Sequence, residues 1–145
     1  MVPAERVLKL VLRLAAVMLL TALVPAIMPF HWMELIHEKM GMGKLPDALI
    51  VHYLTRSCSL MYALHGAILL FISFDVRRYL PFLIFQSWLS MGFGASMLAL
   101  DLSIGMSVGW TIGEGPFIIG LGLLILLLTR RLRYKLPENN LNAFR

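Results

Sequence analysis

The chain is poor in the residues on which many binding and catalytic sites depend. Its only cysteine, Cys58, excludes both an intramolecular disulfide bond and a metal site built from clustered cysteines. Charged residues make up only 14% of the 145 positions, against about a quarter in ordinary soluble proteins. The sequence also contains no phosphate-binding loop, dinucleotide fingerprint or haem-attachment motif. No familiar soluble-enzyme class is therefore indicated.

Apolar residues, in contrast, make up 59% of the chain, and the mean hydropathy is +0.81. Apolar runs of about 18 residues or more recur, and each can cross a hydrocarbon core about 30 Å thick as a helix. We therefore expect an all-α, polytopic membrane four-helix bundle that forms a single domain over residues 1–145. The expected spans are about 7–28, 47–73, 79–100 and 107–129.

The start of the fourth span has two interpretations. Its uninterrupted apolar run, PFIIGLGLLILLLT, has 14 residues and would be about 21 Å long as a helix, which is too short to span alone. Either the helix starts near Ser107 and contains Gly115 and Pro116 as a kink, or DLSIGMSVGWTIGEGP enters the membrane as irregular backbone shielded by protein. We prefer the kinked helix.

The distribution of positive charge predicts the orientation. Ten of the 13 Lys and Arg residues lie in segments expected on one side, whereas Lys39 and Lys44 lie on the other. The ten are Arg6, Lys9, Arg13, Arg77, Arg78, Arg130, Arg131, Arg133, Lys135 and Arg145. The positive-inside rule then places both termini in the cytoplasm of a multi-pass protein of the cell inner membrane. This topology and attraction to anionic lipid explain the net charge of +5, so nucleic acid is not an expected partner.

A cleavable signal peptide is the competing interpretation of the N-terminal segment, because positive residues precede a hydrophobic stretch there. The segment LVPAIMPFHW is bulky where a cleavage site needs small residues. A retained first span is therefore the preferred interpretation.

The first outer loop contains a pattern that resembles a metal motif. His31, Glu34 and His37 are spaced three apart and include two common ligand types. On a helix these residues would fan over about 120°, which is wider than the i, i+4 pair of a zinc-binding helix. Apolar residues lie between them, so we expect a short amphipathic helix in the outer interface, ended by Gly41 and Gly43, and no metal site.

An arginine within the second span is the most informative polar residue. Arg56 follows Asp47 by nine residues, which places it roughly 13 Å inward from the outer end of the span. At about 100° per residue it shares a stripe with polar and small side chains. This stripe consists of His52, Thr55, Arg56, Ser59, Ala63 and Gly66, with Tyr62 on its margin. A charge at this depth costs at least about 2.5 to 3.5 kcal/mol to insert, so it requires a partner.

Three interpretations of Arg56 stay open. It is a structural clamp that pairs with Asp101 or Glu114, or it snorkels to the outer surface, or it lines an outward-opening pocket with His52. Such a pocket would take a small anionic, carbonyl-bearing or lipid ligand, because a guanidinium donates two parallel hydrogen bonds. The candidate ligand-binding residues are Arg56, His52, Glu114, Asp101, Ser59 and Tyr62. No metal is expected, and the residues indicate no particular cofactor.

Small residues recur four apart in the third and fourth spans, where they would let helix backbones approach closely. The positions are Ser90 with Gly94, Gly92 with Ser96, and the series Gly105, Gly109 and Gly113. We expect some of them to pack the bundle internally. Any surplus would serve a homo-oligomer or a partner membrane subunit.

Two segments, YLTRSCSLMYALHGAILLFISFDVRRYLPF and the later GEGP, resemble the BphX-like family of small four-helix bacterial membrane proteins and, more distantly, DoxX-type proteins. The resemblance covers most of the chain and implies a four-helix membrane bundle. It implies no established activity and carries over no functional residue.

These observations favour a binding or accessory membrane component with a polar pocket in its outer half. The rival class is a membrane-embedded enzyme or small-molecule transporter that uses Arg56, His52, Glu114 and His65. A transporter needs polar groups that continue inward, and only His65 and Gln86 offer any.

Overall fold

The computed structural model describes residues 3–134, so Lys135 and Arg145, which entered the orientation argument, lie outside the described residues. The described chain contains seven helices and no β-strand. They are α1 (Pro3–Leu20), α2 (Leu23–Ile27), α3 (Phe30–Lys39), α4 (Leu49–Phe74), α5 (Leu80–Ile104), α6 (Val108–Gly113) and α7 (Gly115–Tyr134).

Four helical stretches in residues 3–134 are long and apolar enough to cross a membrane. They are Pro3–Ile27, Leu49–Phe74, Leu80–Ile104 and Val108–Tyr134. The expectation of an all-helical, multi-pass membrane protein is thereby confirmed. The third stretch continues past the predicted limit near residue 100 to Ile104, so Asp101 lies inside the helix and not after it.

The chain divides into two compact units, and residues 13–71 form one of them. Near its start the helical backbone is interrupted between α1 and α2, because Pro25 has no N–H to bond the carbonyl of Thr21 and its ring crowds that carbonyl. The Thr21 hydroxyl donates to the carbonyl of Met18 at 2.6 Å, and the Ala22 N–H bonds Leu19 instead. The interruption therefore leaves few backbone groups unbonded.

The short helix predicted in the first loop is α3. It ends at Lys39, and Gly41 and Gly43 follow with φ of +76° and +78°. This left-handed backbone is costly for residues with a Cβ and is open to glycine, so the two glycines end the helix as expected. The position of α3 in the membrane interface stays a prediction.

Residues 3–12 and 72–134 belong to the other unit, and glycines set the packing of α5 on α7 within it. A Cβ on Gly94 would lie 2.8 Å from the carbonyl oxygen of Gly115, and a Cβ on Gly115 would lie 2.8 Å from that of Gly94. Two turns further along α7, a Cβ on Gly122 would lie 3.1 Å from the carbonyl oxygen of Ser87. The two backbones approach this closely only because these positions lack side chains.

The remaining predicted small-residue positions make no close helix contact within the described residues. Nothing in the described residues lies within 4 Å of a Cβ built on Gly92, Gly109 or Gly113. Gly105 has a different role, because its φ of +72° ends α5 while its N–H bonds the carbonyl of Asp101. Of the expected small-residue positions, Gly94 therefore packs within the chain, whereas Gly92, Gly109 and Gly113 belong to the surplus for which a role between subunits stays a prediction.

The fourth stretch is an interrupted helix. Glu114, with φ of −97° and ψ of −78°, separates α6 from α7. Pro116 explains the break, because it has no N–H to bond the carbonyl of Ile112. Since the segment before Gly115 is helical from Val108 onward, the structure agrees with the kinked-helix interpretation.

Candidate functional site

The Arg56 guanidinium makes only weak contacts within its own unit. Its Nη1 lies 3.4 Å from Nδ1 of His52, one turn earlier on α4, and its Nη2 donates to the carbonyl of Met28 at 3.4 Å. Charge-assisted hydrogen bonds are usually about 2.7 to 2.9 Å long. Within residues 13–71 no carboxylate forms an ion pair with Arg56. Most of its donor capacity is therefore unused by this unit.

The ring of His52 is held from two sides. Its Nε2 lies 2.7 Å from Oδ1 of Asp47, and its face stacks on Phe30 with ring centroids 4.0 Å apart. If Nε2 carries the proton and donates to Asp47, Nδ1 is left to accept from Arg56. This tautomer satisfies both contacts, so Asp47 and Phe30 orient the ring on which Arg56 rests.

Arg56 opens onto a shallow groove of about 430 Å³. Its lining residues are Leu49, His52, Tyr53, Arg56, Ser57 and Leu60. They are three or four residues apart or adjacent, so they form one face of α4, and among the described residues no second element lines the groove. The groove is therefore open along its length and mixes one cation with apolar and hydroxyl side chains.

The structure brings together two of the predicted site residues in this groove, Arg56 and His52. Ser59 is not a lining residue, and its hydroxyl donates to the carbonyl of Thr55 in its own helix at 2.7 Å. Tyr62 lies further inward and is not a lining residue either. The sequence prediction missed Tyr53 and Ser57, which also line the groove. At about 100° per residue both lie on the side of Arg56 opposite to Thr55 and Ser59, so a wider stripe on the helix would have included them.

Asp101 and Glu114 belong to the other unit. Asp101 is only 2% exposed, and its Oδ2 has no hydrogen-bond partner within residues 3–12 and 72–134. Glu114 lies at the break before α7, and its Oε2 accepts a hydrogen bond from Nε1 of Trp110 at 2.6 Å. Pairing of either acid with Arg56 stays a prediction.

The residues of the metal-like pattern lie on α3. Nδ1 of His37 is 2.7 Å from the carbonyl oxygen of Gly43, so this ring ties the end of α3 to the loop that follows. Across residues 3–134 no three His, Cys, Asp or Glu side chains are grouped so that they could hold a metal ion.

A charged cluster that the sequence did not predict lies in the unit of residues 3–12 and 72–134. Glu5 is 4% exposed, and its Oε2 accepts from Nε and Nη2 of Arg77 at 3.0 and 2.7 Å. Lys9 lies 3.1 Å from the other carboxylate oxygen. Spacing of i, i+4 could have indicated the pair with Lys9, but no local pattern links Glu5 to Arg77. Both carboxylate oxygens are occupied, so this cluster is structural.

No protein-family model matches this chain, and neither a curated protein nor a solved structure matches it.

Proposed function

We propose that this protein is a small membrane-embedded binding or accessory component whose Arg56 site receives an anionic or carbonyl-bearing ligand. One observation carries the proposal: within its unit the Arg56 guanidinium has two contacts of 3.4 Å and no carboxylate partner. A charged side chain within a membrane span is expensive unless another group compensates it. A ligand that accepts two hydrogen bonds would supply that compensation.

The surroundings of Arg56 suit this role. A guanidinium presents its donors as a planar fork that matches carboxylate and phosphate oxygens. His52 is oriented by Asp47 and Phe30, so the groove is partly ordered before a ligand arrives. Preorganisation of this kind lowers the entropy cost of binding.

Transport or catalysis is less well supported. The hydroxyls of Thr55, Ser57 and Ser59 donate to carbonyls of their own helix, which leaves few polar groups to continue a path inward from Arg56. A membrane-embedded enzyme or transporter that uses Arg56, His52 and Glu114 therefore stays the alternative.

The finer assignments of location are part of this proposal. We place the chain in the bacterial inner membrane, with both termini in the cytoplasm and α3 in the outer interface, and we relate it to the BphX-like proteins. The distribution of positive charge supports the orientation. The exposed apolar side chains of α3, such as Trp32 and Ile36, support its place in the interface. The segments YLTRSCSLMYALHGAILLFISFDVRRYLPF and GEGP support the relation to the BphX-like proteins.

The ligand proposal predicts that Arg56→Leu leaves the unliganded protein as stable as the wild type or more stable, because an uncompensated charge is removed. The same variant should lose any stabilisation by soluble anions. At a hundredfold excess over Kd a ligand stabilises by about 2.7 kcal/mol. Thermal unfolding in detergent, with inorganic phosphate and acetate as the probes, measures both effects.

The same measurement distinguishes the ligand proposal from the interpretation of Arg56 as a structural clamp. If Arg56 pairs with Glu114 or Asp101, Arg56→Leu should destabilise by about 3 to 5 kcal/mol, and a double variant with Glu114→Gln or Asp101→Asn should recover much of it. That result would contradict the ligand proposal. If Arg56→Leu, Glu114→Gln and Asp101→Asn are all as stable as the wild type, the clamp interpretation is wrong.

The proposed orientation predicts opposite labelling at two exposed loop positions. In a Cys58→Ser background, Lys44→Cys should react with a membrane-impermeant thiol reagent added to intact cells, and Arg78→Cys should react only after lysis. Both positions are exposed and lie outside the helices, so access to the reagent depends on the side of the membrane. The reverse pattern would overturn the orientation.

A further inference from the structure

We infer that the ligand of the Arg56 groove is the phosphate group of an anionic membrane phospholipid, which reaches Arg56 from the side of α4. This inference rests on the proposed role of Arg56 in binding anions. It goes further by naming the class of ligand and its route, and three features of α4 support it.

The first feature is depth. The 26 residues of α4 make a helix about 39 Å long, which exceeds a hydrocarbon core of about 30 Å. At one end, Phe74 is followed by the exposed Asp75, Arg77 and Arg78, which require headgroups or water. Measured from Phe74, Arg56 lies about 27 Å along the helix, or about 25 Å across the membrane at a typical tilt of about 20°. Arg56 therefore lies about 5 Å inside the opposite boundary of a core about 30 Å thick. The roughly 13 Å that separates it from Asp47 along the chain is larger because α4 extends beyond the core at that end. At this depth the Arg56 side chain can reach the lipid phosphates.

The second feature is the open side of the groove. All the lining residues belong to α4, so nothing within residues 13–71 closes the groove against a molecule arriving in the plane of the membrane. From Arg56 toward Phe74, the large apolar side chains of Leu60, Leu64 and Phe71 follow on the same face and are all exposed. A phospholipid would place its phosphate at Arg56 and an acyl chain along this strip. A soluble anion would leave the strip unused.

The third feature is charge. The positive charge of Arg56 has no carboxylate partner in its unit, so a ligand with net negative charge compensates it fully and a zwitterionic lipid does not. His52 lies one turn nearer the membrane surface and contacts the guanidinium through Nδ1. Asp47 and Phe30 fix that ring, so it supports Arg56 where the phosphate would bind.

Reconstitution of the full chain into nanodiscs tests the inference. Phosphatidylglycerol is compared with phosphatidylcholine of the same acyl chains. One readout is the thermal unfolding temperature of the protein, and the other is the amount of lipid that it retains in native mass spectrometry. We expect phosphatidylglycerol to raise the unfolding temperature and to be retained preferentially by the wild type. Arg56→Gln should bind it about tenfold more weakly or worse. Arg78→Gln removes a charge that is exposed and outside the groove, so it should behave like the wild type.

Two additional variants keep the test decisive. Arg56→Lys retains the charge and loses the bidentate fork, so it should fold if Arg56→Gln does not and should still bind phosphatidylglycerol more weakly. Leu64→Ser shortens the apolar strip without touching Arg56, so it should weaken binding of the lipid and not of inorganic phosphate.

The outcomes separate this inference from the function on which it rests. If inorganic phosphate stabilises the protein through Arg56 and phosphatidylglycerol does not, the lipid inference is overturned and the anion site stands. Equal effects of the two lipids, or equal losses in Arg56→Gln and Arg78→Gln, would also overturn it. If neither phosphate nor lipid acts through Arg56, both proposals fail.

Discussion

Replacement of Gly94 by leucine is expected to prevent correct packing of α5 on α7, whereas the same replacement at Gly92 is expected to be tolerated. A Cβ on Gly94 would meet the Gly115 carbonyl oxygen at 2.8 Å and a side-chain carbon of Ile119 at 2.9 Å. The first of these atoms belongs to the backbone of a packed helix and cannot move aside alone. Overpacking costs typically about 1 to 3 kcal/mol, and a full leucine side chain should exceed the cost of the Cβ alone. Thermal unfolding in detergent, with far-UV circular dichroism as the readout, measures the loss.

Alanine at the same two positions provides the matched control. Gly94→Ala adds only the clashing Cβ and should destabilise by about 1 to 3 kcal/mol. Gly92→Ala should be neutral or stabilising by up to about 1 kcal/mol, because it meets nothing within 4 Å and alanine is the better helix former. Equal stability of the two alanine variants would show that α5 and α7 do not approach each other as described. If Gly92→Leu alters only the oligomeric state, the open glycine face contacts a second subunit.

The comparison of Gly92 with Gly94 shows what the sequence could not predict about packing. Both glycines have a small residue four positions away, so the small-xxx-small pattern marks them equally. Residues two positions apart on a helix, such as Gly92 and Gly94, point in directions about 200° apart. Only one of the two can therefore face a given neighbouring helix. Which one does so depends on the position of α7, and no local pattern records it.

The number and approximate bounds of the apolar helices could be predicted, because length and hydropathy decide whether a segment can cross a membrane. The end of α5 was placed too early, since the third span was expected to end near residue 100 and the helix ends at Ile104. The helix instead continues until Gly105 takes a left-handed conformation. A helix can continue past polar side chains as long as its backbone hydrogen bonds are kept. Hydropathy alone therefore does not predict the residue at which the helix ends.

At the candidate site, helical periodicity placed His52 beside Arg56, because residues four apart on a helix are neighbours. The contact with Met28 and the stacking of Phe30 on His52 could not be predicted in this way. Both depend on how the chain turns between α2 and α4. Within residues 13–71 the site is an open groove on α4, and the outward-opening pocket that the polar stripe suggested stays a prediction.

The ion pair between Glu5 and Arg77 was beyond prediction from sequence for the same reason, and it leads to an asymmetric expectation for single variants. Glu5 is 4% exposed and Arg77 is 41% exposed at its side chain. Arg77→Met leaves a buried carboxylate with only Lys9 as partner. Glu5→Gln leaves two cations that can turn toward water or lipid headgroups.

Arg77→Met should therefore destabilise more than Glu5→Gln, by an amount approaching the roughly 3 to 5 kcal/mol lost when a buried pair loses one partner. The double variant should recover most of the loss, because no buried charge is then left without its partner. Arg78→Met is the matched control. The backbone N–H of Arg78 bonds Asp75, and its exposed guanidinium lies 5.8 Å from the centre of the Tyr79 ring, so the change should cost no more than about 0.5 to 1 kcal/mol. Free energies of unfolding from the three single variants and the double decide the matter. Equal losses in the two single variants, with no recovery in the double, would show that Glu5 and Arg77 contribute independently and not as a pair.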